Sequence, residues 1–372
     1  MKKILFLSPL PPPDYGSAIS SKMCLQVLED QPSYRVRNIR LNRSKEMSDL
    51  GAVSLNKVFG FLAVHWGVFK NIIVQSPDLV YVMPATGGLG FVRDFLAILI
   101  AKAMRKNLLI HLRTSISDRD NRSLVKRTVF GWAFRGSKVI VLASNLADGI
   151  SMYVNDRDVS VLHNAISPTL SDSAYSRIRE EKSGCDHLRL LFLSNMIKSK
   201  GWPVALEVAR FLKQDGIPFS MRFAGNWLSD EDHREFDELV RRLGLSEHVS
   251  HVGHADDELR HSLLSTSDLL VFPTTYRLEA LPRVIIEAME YGVPAVTTTH
   301  AGIPDIVTHG ETGFLAGKDI SADMVRDIES MVDRTRLLEI SDKARDRFIE
   351  NHQIASFRHQ FVAIVDKALE GA

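Results

Sequence analysis

Cysteine is scarce in this 372-residue chain, which has only Cys24 and Cys185. The two lie far apart without metal-ligand spacing, so neither a disulfide framework nor a zinc site is expected, and a reducing compartment suits them. No phosphate loop ending in Gly-Lys-Ser or Gly-Lys-Thr occurs. Long apolar runs are missing as well. The most apolar stretch, 89–112, carries Arg93, Asp94, Lys102, Arg105 and Lys106, which excludes a simple membrane-spanning helix. The opening Met1-Lys2-Lys3-Ile4-Leu5-Phe6-Leu7 resembles a secretory leader, but its apolar run breaks at Ser8-Pro9. A first buried strand is expected there instead, and a cytoplasmic location with it. Internal repeats and low-complexity tracts are absent, and no nucleic-acid partner is expected.

What remains is the composition of a globular protein, 45% hydrophobic and 24% charged. At this length two domains are the natural division. Net charge is only +1, yet its distribution is uneven. Residues 1–170 hold 22 Lys+Arg against 12 Asp+Glu, a net of +10, and the remainder holds 24 against 33, a net of −9. The first half therefore suits an anionic partner, or else carries a solvated basic face.

Short aliphatic runs alternate with helical patterns along the chain. Strands are expected at 4–8, 79–83, 108–112, 138–143 and 159–162, with helices at 18–30 and 92–104 between them. A second set has strands at 188–193, 219–224, 249–252, 269–272 and 295–298. Helices at 202–213, 231–243, 258–266 and 283–291 separate them, and an amphipathic helix at 354–369 ends the chain. Such alternation implies parallel, doubly wound sheets with ligands at the carboxyl ends of the strands. The expected organisation is an N-terminal doubly wound domain, 1–170, a linker, 171–186, and a second doubly wound domain, 187–350. A C-terminal helix, 351–372, would cross back to the first domain. The linker is read from Pro168, a run of serines and Gly184.

Glu279-Ala280-Leu281-Pro282 leads into one of these helices, and Glu287 lies eight residues after Glu279. Eight helical steps return to within about 80° of the starting direction, roughly two turns on. Glu279 would sit in the loop at the helix mouth and Glu287 inside the helix. One carboxylate suits sugar hydroxyls and the other a ribose, while the helix N-terminus suits a phosphate. A strand also leads into Ser194-Asn195-Met196-Ile197-Lys198-Ser199-Lys200-Gly201, placing Lys200 where a diphosphate would lie. In the first half, Pro11-Pro12-Pro13-Asp14-Tyr15-Gly16-Ser17 follows a strand and precedes a helix. Gly16 and Ser17 there would allow close backbone approach to a ligand, or form an ordinary connection. His111 and Arg113 end a strand, either against a transferred sugar or packed inside.

The landmarks from Val252-Gly253-His254 through Asp268, Glu279, Glu287, Gly292-Val293-Pro294 and Ala301-Gly302-Ile303-Pro304-Asp305 to Gly310-Glu311-Thr312-Gly313 resemble glycosyltransferase family 4. The resemblance covers about residues 249–316. It implies a GT-B fold of two Rossmann-like domains facing a cleft, and transfer with retention at the anomeric carbon. Glu279 and Glu287 match the family's E-x7-E motif, with Glu279 on the donor sugar and Glu287 on the ribose. Ala280, Leu281, Pro282, Gly253 and His254 would line the donor. Lys200 matches a diphosphate-binding lysine. Asn195 stands where the family usually has an arginine, leaving Lys198 or a basic residue of the first domain as the substitute. Asn164 matches an Asn-Gly position near the domain crossing, and a structural role is expected of it.

The function expected is transfer of a hexose-type sugar from a nucleotide sugar, by default a UDP-sugar, to a saccharide or lipid-linked saccharide. Surface-polysaccharide or glycoconjugate synthesis is the expected setting. No cofactor or metal is implied. Two Asp-x-Asp strings, 118–120 and 156–158, lie in charged loops unlike the metal site of the other transferase fold. Front-face displacement and a covalent role for Glu279 are both open. The alternatives are a GT-B epimerase and a non-catalytic sugar-nucleotide-binding protein. The apolar stretch 55–73, with Phe59, Phe61, Trp66, Phe69, Lys57 and Lys70, and the basic stretch 119–135, with Arg122, Lys126 and Arg127, would touch an anionic membrane peripherally or else face the core.

Overall fold

Short, largely apolar tetrapeptides make inner strands of each sheet. In a computed structural model, which describes residues 1–12, 16–41, 55–116 and 121–370, Leu79–Val82 (β3), Leu108–His111 (β4), Leu269–Phe272 (β10) and Ala295–Thr298 (β11) are buried at every position. A strand buried on both faces cannot alternate, because helices cover the sheet on each side.

The remaining strands are Lys2–Ser8 (β1), Tyr34–Arg40 (β2), Lys138–Val141 (β5), Val159–Val161 (β6), Leu188–Leu193 (β7), Phe219–Ala224 (β8), Val249–His251 (β9) and Gly313–Ala316 (β12). They form two six-stranded parallel sheets, in the orders β2-β1-β3-β4-β5-β6 and β12-β11-β10-β7-β8-β9. Each is doubly wound. The first sheet reverses direction beside β1 and β3, the second beside β7 and β10, and such switch points are where ligands bind.

Two compact units result, Met1–His163 with Phe357–Ala372, and Asn164–Ser356. In the first unit the final helix, Ile354–Glu370, sets Phe361 edge-on to Tyr81 at 5.7 Å between ring centroids. Its Arg358 and Asp366 reach Asp30 and Tyr34, each at 2.7 Å.

The stretch expected as a linker, 171–186, is instead largely a helix, Asp172–Ser183, within the second unit. Ser171 caps it by accepting from Ala174 N at 3.2 Å. The misreading has a physical cause. Serines and charges dominate its sequence, and only Ile178 and Lys182 are buried. Tyr175 and Arg179 bond Asp342, at 2.9 and 2.8 Å, on the neighbouring helix Arg334–Asn351. β2 was also missed: alternating arginines disguise an edge strand, as is common where charge blunts an unpaired edge.

Lys182 donates to the carbonyls of Tyr291 and Gly292 at 3.0 and 2.9 Å, closing a helix end from within the core. Burial lowers its pKa from 10.5 to about 7. Between those values the unfolded chain holds a proton that the folded chain lacks, so stability rises with pH across that window. In Lys182→Met, the rise in stability between pH 7 and 10.5, measured by urea denaturation, is expected to flatten by up to about 1.4 kcal/mol per pH unit.

Candidate functional site

The switch point of the second sheet gathers Lys200 and Glu279. Lys200 Nζ donates to Glu279 Oε2 at 2.5 Å, with side-chain exposures of 15% and 13%. The ammonium also lies 4.6 Å from the ring centroid of Tyr276 and 5.7 Å from that of Phe272. A cation set over two aromatic faces and against one carboxylate is held in position before any ligand arrives.

Backbone contacts fix this geometry. Thr275 N donates to Ser199 O at 2.8 Å, tying the loop after β7 to the loop after β10. Gly201 has φ +101°, and a Cβ there would stand 2.3 Å from the Pro273 carbonyl oxygen. Only glycine permits both the left-handed backbone and that approach. Gly201→Ala is therefore expected to cost at least about 2 kcal/mol by urea denaturation and to loosen donor binding along with it.

The segment from Tyr276 to Pro282 is anchored from three sides. His300 Nε2 lies 2.9 Å from Tyr276 O, Gly302 N donates to Ala280 O at 2.8 Å, and Asn164 Nδ2 donates to Leu281 O at 2.7 Å. Asn164 thus takes a structural role within the second unit. Its own carbonyl lies 3.1 Å from His352 Nδ1, beside the bridge between Ile166 and Gln353. Ala301 sits between two of these anchors at φ +50°, a strained value for a non-glycine residue.

Ala280, Leu281 and Pro282 are buried, and Pro282 caps the helix Arg283–Glu290. Proline offers no side-chain acceptor, so the first-turn amides are left to a ligand or solvent. Glu287 lies in the second turn of this helix with 21% side-chain exposure, and its Oε1 is 3.9 Å from Arg283 Nη2. Arg283 Nε is buried without a partner among the described residues. Sequence reasoning missed Arg283, which falls among the unspecified positions of the motif. A cation one turn before the candidate carboxylate Glu287 is the signal that was available.

Asn195, Gly253 and His254 follow the ends of β7 and β9. Gly225 N donates to Gly253 O at 2.8 Å, and a Cβ on Gly225 would stand 1.8 Å from Ser194 O. The three loops after β7, β8 and β9 consequently form one strip. Asn195 and His254 are exposed along it, and His254 Nδ1 lies 3.2 Å from Asn226 Nδ2.

Lys198, one expected substitute for the missing arginine, is half-exposed and bonds Glu235 and Asp232 at 2.6 and 3.1 Å, which raises its pKa. Both carboxylates belong to the helix Asp230–Arg242.

In the first unit, Gly16 opens the helix Gly16–Glu29 after β1, exposed, with nothing within 4 Å of an added Cβ. Ser17 O accepts from Ser21 Oγ at 2.8 Å, and Ser21 Oγ also receives Ser8 Oγ at 2.5 Å. Positions 13–15 of the proline-rich loop lie outside the described residues. His111 is fully buried rather than set at an open edge. Its Nδ1 is 2.7 Å from Tyr81 Oη, and its Nε2 is buried without a partner among the described residues. Burial, reinforced by Arg113, depresses its pKa well below the ordinary value and keeps the ring neutral. Arg113 Nη2 donates to Ser20 Oγ at 2.7 Å. Burial likewise raises the Cys24 thiol to about 11, leaving it inert at neutral pH.

Among the described residues, no three His, Cys, Asp or Glu side chains cluster as a metal site would require. The 118–120 string lies outside the described residues, and Asp156–Asp158 forms one short turn.

Residues 177–354 match the family model described as glycosyl transferases group 1. The putative colanic acid biosynthesis glycosyltransferase WcaL of Salmonella typhimurium is 26% identical over 186 residues, 48% of this chain and 45% of that protein. The amylovoran biosynthesis glycosyltransferase AmsK of Erwinia amylovora is 29% identical over 133 residues, 35% of this chain and 32% of that protein. The chain thus spans less than half the length of these curated relatives. Among solved structures, Anabaena HepE in complex with UDP has a TM-score of 0.73 at 18% identity, covering 99% of this chain and 100% of that one. HepE in complex with UDP-glucose has a TM-score of 0.71 at 20% identity, covering 99% and 100%. The fold is that of the GT-B glycosyltransferases, two Rossmann-like units each built on one parallel sheet.

Proposed function

We propose that the protein is a retaining glycosyltransferase of family 4. On this reading it moves a hexose from a UDP-sugar to a saccharide or lipid-linked saccharide during polysaccharide assembly. The observation that carries the proposal is the Lys200–Glu279 pair at the β7/β10 switch point, beside a helix N-terminus that lacks a side-chain cap. The names of the matched relatives support the polysaccharide setting, and the UDP and UDP-glucose complexes of HepE support the donor class.

Lys200 and the first-turn amides of the helix Arg283–Glu290 would hold the diphosphate. Negative charge grows there as the nucleoside diphosphate leaves, and fixed donors stabilise it without reorganising. Glu287, oriented by Arg283, would take the ribose hydroxyls, and the loops at Asn195, Gly253 and His254 the rest of the nucleotide. Glu279 would accept from hydroxyls of the transferred sugar. It is already paired with a cation, so a front-face displacement needs no further role from it. The departing phosphate oxygen would then take the acceptor's proton. In the first unit, Gly16, Ser17 and Arg113 would take the acceptor. A nucleotide sugar is then a co-substrate, and neither metal nor cofactor is called for.

Thermal-shift titration with UDP, GDP and ADP, followed by NMR of the products from UDP-glucose with and without acceptor, tests the proposal. UDP is expected to raise the melting temperature, and Glu287→Ala to remove most of that shift. Glu279→Gln should keep the shift and lose transfer. If no nucleoside diphosphate shifts the transition, the nucleotide site is wrongly assigned. A shift without turnover of any sugar nucleotide would favour a binding protein.

A further inference from the structure

Three helices cover one face of the first sheet: Leu55–Gln75, Gly88–Ala103 and Leu124–Phe134. Their inward residues, among them Val64, Val68, Ile72, Phe95, Phe130 and Phe134, share a single core cluster. His65 fixes the roll of the first helix, with Nδ1 2.7 Å from Phe61 O and Nε2 2.9 Å from Arg93 O on the next helix. The outward side is consequently defined, and it is the wrong side for a solvated helix.

Leu62, Trp66, Phe69 and Ile73 are exposed by 58, 64, 38 and 56%. At 100° per residue they fall within about 60° of arc, an unbroken apolar stripe. Val74, 71% exposed, flanks it, and Trp66 and Phe69 rest against each other at 5.7 Å. On the third helix Leu124, Val125 and Trp132 are exposed by 78, 71 and 48%. Among their described side chains are Lys70, Lys102, Lys126 and Arg127, besides Arg93, which is paired with the buried Asp94, the one acid described on these helices. Beside the third helix lies a groove of about 780 Å³ whose lining includes Arg127, Trp132, Arg135 and Tyr153.

We propose that this three-helix face docks on an anionic lipid bilayer. Apolar side chains alone would suit many partners. Apolar side chains set among Lys70, Lys102, Lys126 and Arg127 suit a surface that is hydrocarbon beneath and negative above. Tryptophans at such a boundary place an amphipathic ring at headgroup level. No helix among the described residues is long and apolar enough to cross a membrane, so the contact is a lying-on contact. The proposal is independent of sugar transfer, since it concerns only the first unit.

Sedimentation of the full chain with phosphatidylglycerol-containing vesicles, and with pure phosphatidylcholine vesicles, tests it. Binding to the anionic vesicles is expected to be at least about ten-fold stronger at low salt, and most of that advantage to vanish near 1 M salt. Trp66→Ser combined with Phe69→Ser should weaken binding by about ten-fold or more, with an unchanged melting temperature showing that the fold is kept. Lys70→Glu combined with Arg127→Glu should remove the preference for anionic vesicles. Absence of binding, or binding by both double variants as strong as that of the parent, overturns the proposal. So does a full-chain dimer that Trp66→Ser/Phe69→Ser splits without any vesicle binding, because the face would then be covered by a second copy.

Discussion

Lys200→Ala is expected to lower kcat/KM for sugar transfer by about a hundred- to a thousand-fold, the usual consequence of removing one fixed donor from a developing anion. The lysine is no flexible surface group. Its ammonium is held by Glu279 at 2.5 Å and by the Tyr276 ring, and its backbone by the Ser199–Thr275 contact and the Gly201 approach to Pro273. A water molecule replacing it could supply a hydrogen bond but not the charge. The same substitution leaves Glu279 unneutralised beside the proposed diphosphate, which repels the donor as well. The two residues therefore act as a unit. Lys200→Ala/Glu279→Ala should be little worse than the weaker single variant, a non-additivity visible in steady-state kinetics. Lys200→Arg should recover only a small part, since a planar guanidinium cannot fill the place of a compact ammonium between Tyr276 and Glu279. Melting curves run alongside separate lost chemistry from lost fold. Activity of Lys200→Ala within about three-fold of the parent would remove Lys200 from the mechanism.

How much of this was legible beforehand depends on the range of the interaction concerned. The inner strands could be read because Leu-Val-Tyr-Val and Leu-Leu-Val-Phe leave few alternatives to burial on both faces. The loop placement of Glu279 and the helical placement of Glu287 followed from spacing alone, and Lys200 from a strand leading into a helix. The resemblance supplied their expected roles. Contacts between distant segments were not legible. Nothing local in Asn164 points to the Leu281 carbonyl, 117 residues away. Nothing in Lys198 announces that Asp232 and Glu235 will take its charge. Nothing local in Gly225 points to its close approach to Ser194 O. His111 shows the same limit from the other side: its strand end was clear, while its complete burial depends on packing that no short window contains.

The site also depends on a staple at the opposite ends of the strands that carry it. Asp268 immediately precedes β10 and is completely buried. Its carboxylate accepts from Arg189 N at 2.9 Å and Arg189 Nη2 at 2.8 Å, and meets Arg334 Nη1 at 3.2 Å, while its own amide donates to Arg189 O at 2.7 Å. Arg189 lies in β7, so this one side chain locks together the two strands whose far ends lead to Lys200 and Glu279. Burial alone would raise its pKa, but the bonds and charges of Arg189 and Arg334 outweigh burial and hold it below the ordinary carboxylate value. Asp268→Ala is expected to cost about 3–5 kcal/mol in urea denaturation at neutral pH, because it strands Arg189 and Arg334 without this counter-ion. Asp268→Asn keeps the shape and isolates the charge. With a depressed folded pKa, the stabilisation is present above the unfolded pKa, near pH 4, and is lost as pH falls through the lower folded value. The asparagine variant should therefore lose that part of the acid dependence while being destabilised at neutral pH. A stability within about 1 kcal/mol of the parent would mean that the β7/β10 junction is held by packing alone.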